Sequence, residues 1–244
     1  MDIHRSYFYY TEKKDDSEVE QAICEAAEFG DGFWKIFQRL RSDGKPWNHK
    51  KVYRVYKQMH YEKRSKLKKM LPARVKSPLV IPSQPNTAWS IDFVSDRLQS
   101  GRTFRVLNVI DDCDRVAVGQ EISMSMPAER VIRLLEKVIW LNGKPKNIRC
   151  DNGPEFISKM FQEWCKGNDI NIIYIQPVHP TQNSIIERFN GSYRRAVLDA
   201  YIFRTLHDVR ELTEAWMTDY NECRPHESLD NMTPMEYREK KKVG

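Results

Sequence analysis

Apolar residues recur at helical spacing between residues 17 and 61, then change from residue 87 onward to short continuous or alternating runs, which predicts a small helical module ahead of an α/β domain. In the first part, Val19, Ala22, Ile23 and Ala26 fall on one face of a helix for which Ser17 and Glu20 have capping-box spacing. Asp31 is placed to cap a second helix, in which Phe33, Ile36, Phe37 and Leu40 repeat at i, i+3, i+4 and i+7 and Gly44 closes the end. Asn48 is placed to cap a third, with Val52, Val55, Tyr56 and Met59 inward and Lys50, Lys51, Arg54 and Lys57 outward. A tight connection from Ser42 to Pro46 before a basic last helix describes a helix-turn-helix. The plainer alternative is a small basic bundle with a solvated face.

In the second part, residues 87–94, 103–110 and 116–122 read as three strands of a meander. A helix follows Pro127, with Val131, Leu134, Leu135 and Val138 at helical spacing and an end near Gly143. Next come a strand at 147–150, a helix at 154–166, a strand at 170–175, a helix at 184–199 and a further helix near 207–221. Three strands, then helix, strand, helix, strand, helix is an α/β order in which the last two strands join the meander in parallel. That is the ribonuclease-H-like arrangement. The expected organisation is a helix-turn-helix module over 1–61, a basic linker over 62–84, the catalytic core over 85–200 and a helical extension over 201–244.

Charge sharpens this division. The whole chain, 244 residues long, is only +6, but residues 35–76 hold 15 basic and two acidic side chains, a net of +13. Trp34, Phe37, Trp47, Tyr53 and Tyr56 are interleaved with this block, as a disordered tail would not have them. The linker, with Lys63, Arg64, Lys66, Lys68, Lys69, Arg74 and Lys76, reads as tracking phosphates. The longest apolar run, Ile172 to Ile175, is far short of the roughly 18 residues of a membrane span, so no membrane partner is expected. The first residues have no signal-like apolar segment, and five cysteines form no CxxC pair; reduced thiols in a cytoplasm are the expectation.

Three carboxylates stand at informative places. Asp92 interrupts the apolar first strand, where an unpaired buried charge would cost several kcal/mol. Asp151 opens Asp151-Asn152-Gly153-Pro154-Glu155-Phe156 directly after the fourth strand, and Glu187 lies in the first turn of the last core helix with 35 residues between them. Each has an ordinary reading: an edge-strand charge, an Asn-Gly turn, a capping partner of Ser184. Together, a strand interior, a strand end and a helix start can converge at one end of a mixed sheet. Hard divalent cations take such oxygen ligands, and a pair of ions serves in-line phosphoryl transfer without a protein nucleophile. Ser90 and Ser184 have no evident histidine base, and no phosphate-cradling glycine loop supports an NTPase. Asp96, Asp111, Asp112, Asp114 and Glu155 are rival acids, read as turn or surface charges.

These residues resemble the DDE triad of retroviral-integrase-type polynucleotidyl transferases. The stretches from Asn86 to Val94, Asp151 to Phe156, Pro180 to Asn190 and Tyr220 to Leu229 resemble, more closely, the second-frame transposase of bacterial insertion sequences of the IS-three family. The resemblance runs nearly end to end; Gly32-Phe33-Trp34-Lys35 stands where the family more often has Gly-Tyr-Arg. It implies cleavage of element ends by water and strand transfer by a 3′-hydroxyl, on double-stranded DNA, in a self-associated synaptic complex, with the first-frame product as a further partner. It implies that Asp92, Asp151 and Glu187 ligate Mg²⁺ or Mn²⁺, two ions per site, and that Asn183 and Arg188 support the site or DNA. Arg194, seven residues beyond Glu187, lies near the same helix face and is placed for phosphate. Without a His-His-Cys-Cys pattern, zinc is not expected. Two other functions remain open: a regulator that binds element ends without catalysis, and a ribonuclease H acting on RNA–DNA hybrids.

Overall fold

The computed structural model of the protein describes residues 15–27, 31–61, 81–175 and 183–243, in two compact units, Met1–Leu67 and Lys68–Gly244. The basic linker lies largely outside the described residues.

In the first unit, α1 (Ser17–Ala26), α2 (Phe33–Ser42) and α3 (His49–Gln58) enclose a core of Val19, Ala22, Ile23, Ile36, Leu40, Val52, Val55 and Tyr56. The predicted caps are partly realised. The Asn48 side chain accepts from the Lys50 N–H at 2.9 Å, and Gly44, at φ 71°, adopts the left-handed geometry that closes α2, with Lys45 N–H returning to the Leu40 carbonyl at 2.9 Å. The Ser17–Glu20 capping box is not formed: Asp16 occupies the cap position of α1 and no side chain caps it. Gly32, not Asp31, precedes α2; the Asp31 carboxylate instead pairs with Arg39 at 3.0 Å, a partner eight residues away that a cap rule ignores.

In the second unit, β1 (Ala88–Arg97), β2 (Thr103–Asp111) and β3 (Ala117–Ser123) form an antiparallel meander, and β4 (Asn147–Cys150) and β5 (Asn171–Tyr174) add to it in parallel, giving the order β3-β2-β1-β4-β5. This is the predicted arrangement. Helix α4 (Ala128–Asn142) buries Val131, Leu134, Leu135 and Val138. Helix α5 (Lys159–Gly167) starts five residues later than predicted, because 154–158 is a turn and Ser158 caps the helix through the Phe161 N–H at 3.2 Å. Trp89, Ile91, Leu107, Val109, Ile148 and Phe161 form the core with the α4 residues.

Helix α6 (Ser184–Tyr193) packs on β1 and β2 and continues into a π-helical turn, Arg194–Leu198, rather than running on as a regular helix to 199. The helices beyond residue 200, α7 (Leu206–Thr218) and α8 (Pro234–Val243), are bonded into the same unit. The Asn221 side chain both accepts from the Ala117 N–H (2.9 Å) and donates to its carbonyl (3.0 Å), so one amide takes the place of a neighbouring strand at the free edge of β3. Arg210 donates to the Ile122 carbonyl on the same edge at 2.9 Å. No helix among the described residues is long and apolar enough to cross a membrane.

Candidate active site

The parallel ladder sets the first two acids. Ala88, Trp89 and Ser90 of β1 are level with Asn147, Ile148 and Arg149 of β4; continued by two residues, the register brings Asp92 level with Asp151. Residues level in a parallel pair project to the same face. Asp92 is half-buried and Asp151 exposed at the strand end. Helix α6 brings the third acid: Glu187 is exposed in its first turn, and one turn further on the Asn190 amide donates to the Asp92 carboxylate at 2.8 Å.

Burial pushes the Asp92 carboxyl up to about 6, and the charges of Asp151 and Glu187 add to this against hydrogen bonds from the Phe93 N–H and Asn190. Asp92 thus feels both of the other acids. As the side chains lie, Asp92 takes its own neighbour's N–H at 2.8 Å and Asp151 takes the Gly153 N–H at 2.9 Å. No three acidic, histidine or cysteine side chains among the described residues stand close enough together to hold a cation. The donor set nevertheless has the character a hard divalent cation selects: all carboxylate oxygen, partly exposed, with mutual repulsion that a cation would relieve.

The loop after Asp151 is fixed from below. Phe156 is fully buried and stacks on Phe93 at 5.1 Å, the Arg105 guanidinium lies 3.8 Å from the Phe93 ring centroid, and Arg105 pairs with Glu155. A Cβ on Gly153 would come 2.9 Å from Asp151 Oδ1 and 3.4 Å from Glu155 Oε2, so a side chain there would make the Asp151 carboxylate shift. Glu155 is therefore no loose surface charge.

Three residues with no assigned role in the sequence extend the site. Asn190 Oδ1 accepts from Asn108 Nδ2 at 2.7 Å, and Asn108 Oδ1 accepts from Gln120 Nε2 at 2.6 Å. The row crosses β3, β2, α6 and β1 and ends on Asp92. The one available signal was position: Asn190 is three residues from Glu187, and Asn108 is a polar side chain in an apolar strand.

The rival acids also differ from expectation. Asp111, Asp112 and Asp114 occupy a turn but are fully buried rather than on the surface. Asp112 pairs with Arg149 and accepts from Ser90 Oγ at 2.6 Å, while Asp114 binds Arg238 Nε of α8 at 2.6 Å. Arg238 also reaches Asp111 at 3.4 Å. These charges hold the fold together and are matched by arginines.

Of the residues expected at DNA, Arg188 is exposed beside Glu187. Asn183 precedes α6, buried, with no partner for its Oδ1 among the described residues. Arg194 is drawn back to the sheet, donating to the Ser95 carbonyl at 2.7 Å and lying near Asp199 (3.6 Å) and Asp96 (4.0 Å). Lys50 is exposed, whereas Arg54 pairs with Asp16 at 2.8 Å, Lys51 lies 3.9 Å from the same acid and Lys57 sits over the Tyr53 ring at 5.3 Å.

A five-stranded mixed sheet with acids at a strand interior, the neighbouring strand end and the crossing helix defines an integrase-type, ribonuclease-H-like core. Family models described as "Integrase core domain" match residues 82–180 and 168–234. The catalytic core of the HTLV-2 integrase, solved "in complex with magnesium (trimeric form)", has the same fold: TM-score 0.52 at 21% identity, over 64% of this chain and 97% of that one. The chain is 34% identical over 243 residues, 98% of its length and 87% of the relative's, to the 31.7 kDa protein of insertion element IS407 from Burkholderia multivorans. It is 24% identical over 260 residues, 97% of its length and 90% of the relative's, to the "Putative transposase InsK for insertion sequence element IS150" from Escherichia coli K12. The chain belongs to the integrase-core family of insertion-element transposases.

Proposed function

We propose that this transposase is itself the catalytic subunit, a polynucleotidyl transferase that cuts DNA at the ends of an insertion sequence and joins them to target DNA. The observation that carries the reading is the parallel pairing of β1, which carries Asp92, with β4, directly after which Asp151 follows, together with a helix carrying Glu187 that is bonded to Asp92 through Asn190.

In the first step a water oxygen attacks phosphorus and the bond to the 3′-oxygen breaks, leaving a 3′-hydroxyl. In the second that hydroxyl attacks a target phosphodiester and displaces another 3′-oxygen. The first step consumes water and breaks one phosphodiester; in the second, one phosphodiester is made for the one broken, so joining requires no nucleotide cofactor. Asp92, Asp151 and Glu187 would hold Mg²⁺ or Mn²⁺, as two ions, and the chemistry such ions supply is activation of the attacking oxygen and stabilisation of the departing one. Asn190 orients Asp92, Gly153 leaves room for Asp151, and exposed Arg188 is placed for backbone phosphate. The helical module would bind duplex DNA, and self-association would bring two element ends together.

The test is strand transfer by the purified chain on labelled element-end oligonucleotides with Mg²⁺ or Mn²⁺, alongside metal titration by calorimetry. Asp92→Asn, Asp151→Asn and Glu187→Gln are each expected to reduce product to background and to weaken metal binding. Full activity in Asp151→Asn would overturn the mechanism. End binding without metal-dependent product in any condition would favour a regulator, and cleavage confined to RNA–DNA hybrids a ribonuclease H.

A further inference from the structure

Helices α2 and α3 together contain seven lysines or arginines and no acid. The fold does not treat these cations alike. Arg39 turns back to Asp31 at 3.0 Å, Arg54 binds Asp16 at 2.8 Å, and Lys51 lies 3.9 Å from the same Asp16. That side of the module matches its charges internally. On α3 the spacing i, i+1, i+4, i+8 collects His49, Lys50, Tyr53 and Lys57 on an adjoining flank.

This second flank is aromatic. Trp34, at the start of α2, is 60% exposed and lies near-parallel to His49 at 6.2 Å. Tyr53 is 42% exposed, makes an edge contact with Phe33 at 4.8 Å, and has the Lys57 ammonium 5.3 Å from its ring centroid. Phe33 contacts both rings and Phe37 contacts Trp34, so the exposed pair packs on two further aromatic side chains. Exposed tryptophan and tyrosine forgo burial energy that the small core could have used, and their flat, amphipathic rings suit a wet, charged interface. Neither α2 nor α3 contributes an acid of its own, which suits a polyanion. The first turn of the helix after a tight connection is also the part of such a module that reaches base edges in a major groove.

We infer that the face formed by Trp34, His49, Lys50, Tyr53 and Lys57 is the surface that enters duplex DNA, with the two exposed rings against bases and sugars and Lys50 and Lys57 on flanking phosphates. Lys51 and Arg54 hold α3 to Asp16 instead. The assignment rests on the reading of the helical module as a DNA-binding unit, and it divides into two roles the four cations that the sequence groups together.

The experiment measures fluorescence anisotropy of the full chain on a mixed-sequence duplex about three helical turns long, over a series of salt concentrations, with thermal melts to confirm that each variant is folded. Trp34→Ala and Tyr53→Ala are each expected to weaken binding about tenfold with no change in salt slope, because a ring contact releases no counterion. Trp34→Phe should retain most of the affinity. Lys50→Gln should reduce the salt slope by about 0.9, and Lys51→Gln should leave it unchanged. If the wild-type chain shows no salt-dependent binding, the reading of the module as a DNA binder fails and the inference falls with it. If the wild type binds but the two ring variants match it and Lys51→Gln lowers the slope, DNA binding stands and the assigned face is wrong. Loss of self-association by sedimentation in Trp34→Ala, with DNA binding intact, would make the face a protein interface and also overturn the assignment.

Discussion

The Asn190 side-chain amide donates to Asp92 at 2.8 Å, tying the helix that carries Glu187 to the strand that carries the most buried of the three acids. Both of its polar atoms are used, since its oxygen accepts from Asn108 at 2.7 Å. Asn190→Leu keeps the approximate volume and removes both bonds. Strand transfer is expected to fall about 10- to 100-fold, the usual loss when a partner that orients a metal ligand is removed. Asn108→Leu, one step further away, should cost less activity. Single-turnover rates with saturating DNA measure both, and equal, undiminished rates would show that the row of amides does not position Asp92.

Gly153 offers a test of the loop after Asp151. A methyl group there would meet Asp151 Oδ1 at 2.9 Å. Gly153→Ala is therefore expected to displace that carboxylate and to weaken metal binding by calorimetry, while global stability changes by less than about 1 kcal/mol because the loop is exposed. Unchanged metal affinity would mean that the loop gives way freely.

Arg238 is a stability residue by the same logic. Its guanidinium, 8% exposed, meets Asp114 and Asp111. Arg238→Gln leaves two buried carboxylates without their shared cation and is expected to cost about 3–5 kcal/mol in urea unfolding. A loss below about 1 kcal/mol would place the ion pair among those with no net effect.

The pH dependence follows from Asp111. Burial first, then Asp114, pushes its carboxyl from 3.8 up to about 6, against hydrogen bonds from the Asn86 and Cys113 N–H groups and the charge of Arg238. The native state then binds this proton more readily than the unfolded state. Stability from this group is greatest below pH about 4 and is lost as pH rises through about 6, after which it is flat. The difference in unfolding free energy between the wild type and Asp111→Asn should therefore decline from pH 4 to pH 6.5. A difference that grows over that range would mean the carboxyl is held low instead.

Much of the architecture was legible because it depends on short-range pattern. The meander, the 147–150 strand and the Asn48 cap all emerge where the spacing put them. Of the candidate acids, Asp92 stands out in sequence because a charge inside an apolar strand is conspicuous. What failed depends on distant partners. Asp31 favours Arg39 over the helix end, and Asp111 and Asp114 look like turn charges until Arg238, 124 residues beyond Asp114, is placed beside them. Asn221 substituting for a strand against Ala117 likewise spans 104 residues. The cations of α3 look equivalent in sequence, and the position of Asp16 sets Arg54 and Lys51 apart.

The contact between Arg238 and Asp114 also sets an order of events during synthesis. At the usual pace of about 5–20 residues per second, the 124 residues between them take roughly 6–25 s to translate. For that interval Asp111 and Asp114 are made without Arg238, so the nascent domain waits in an incomplete state until α8 emerges. Formation of this charge cluster is then timed by α8 rather than by the sheet.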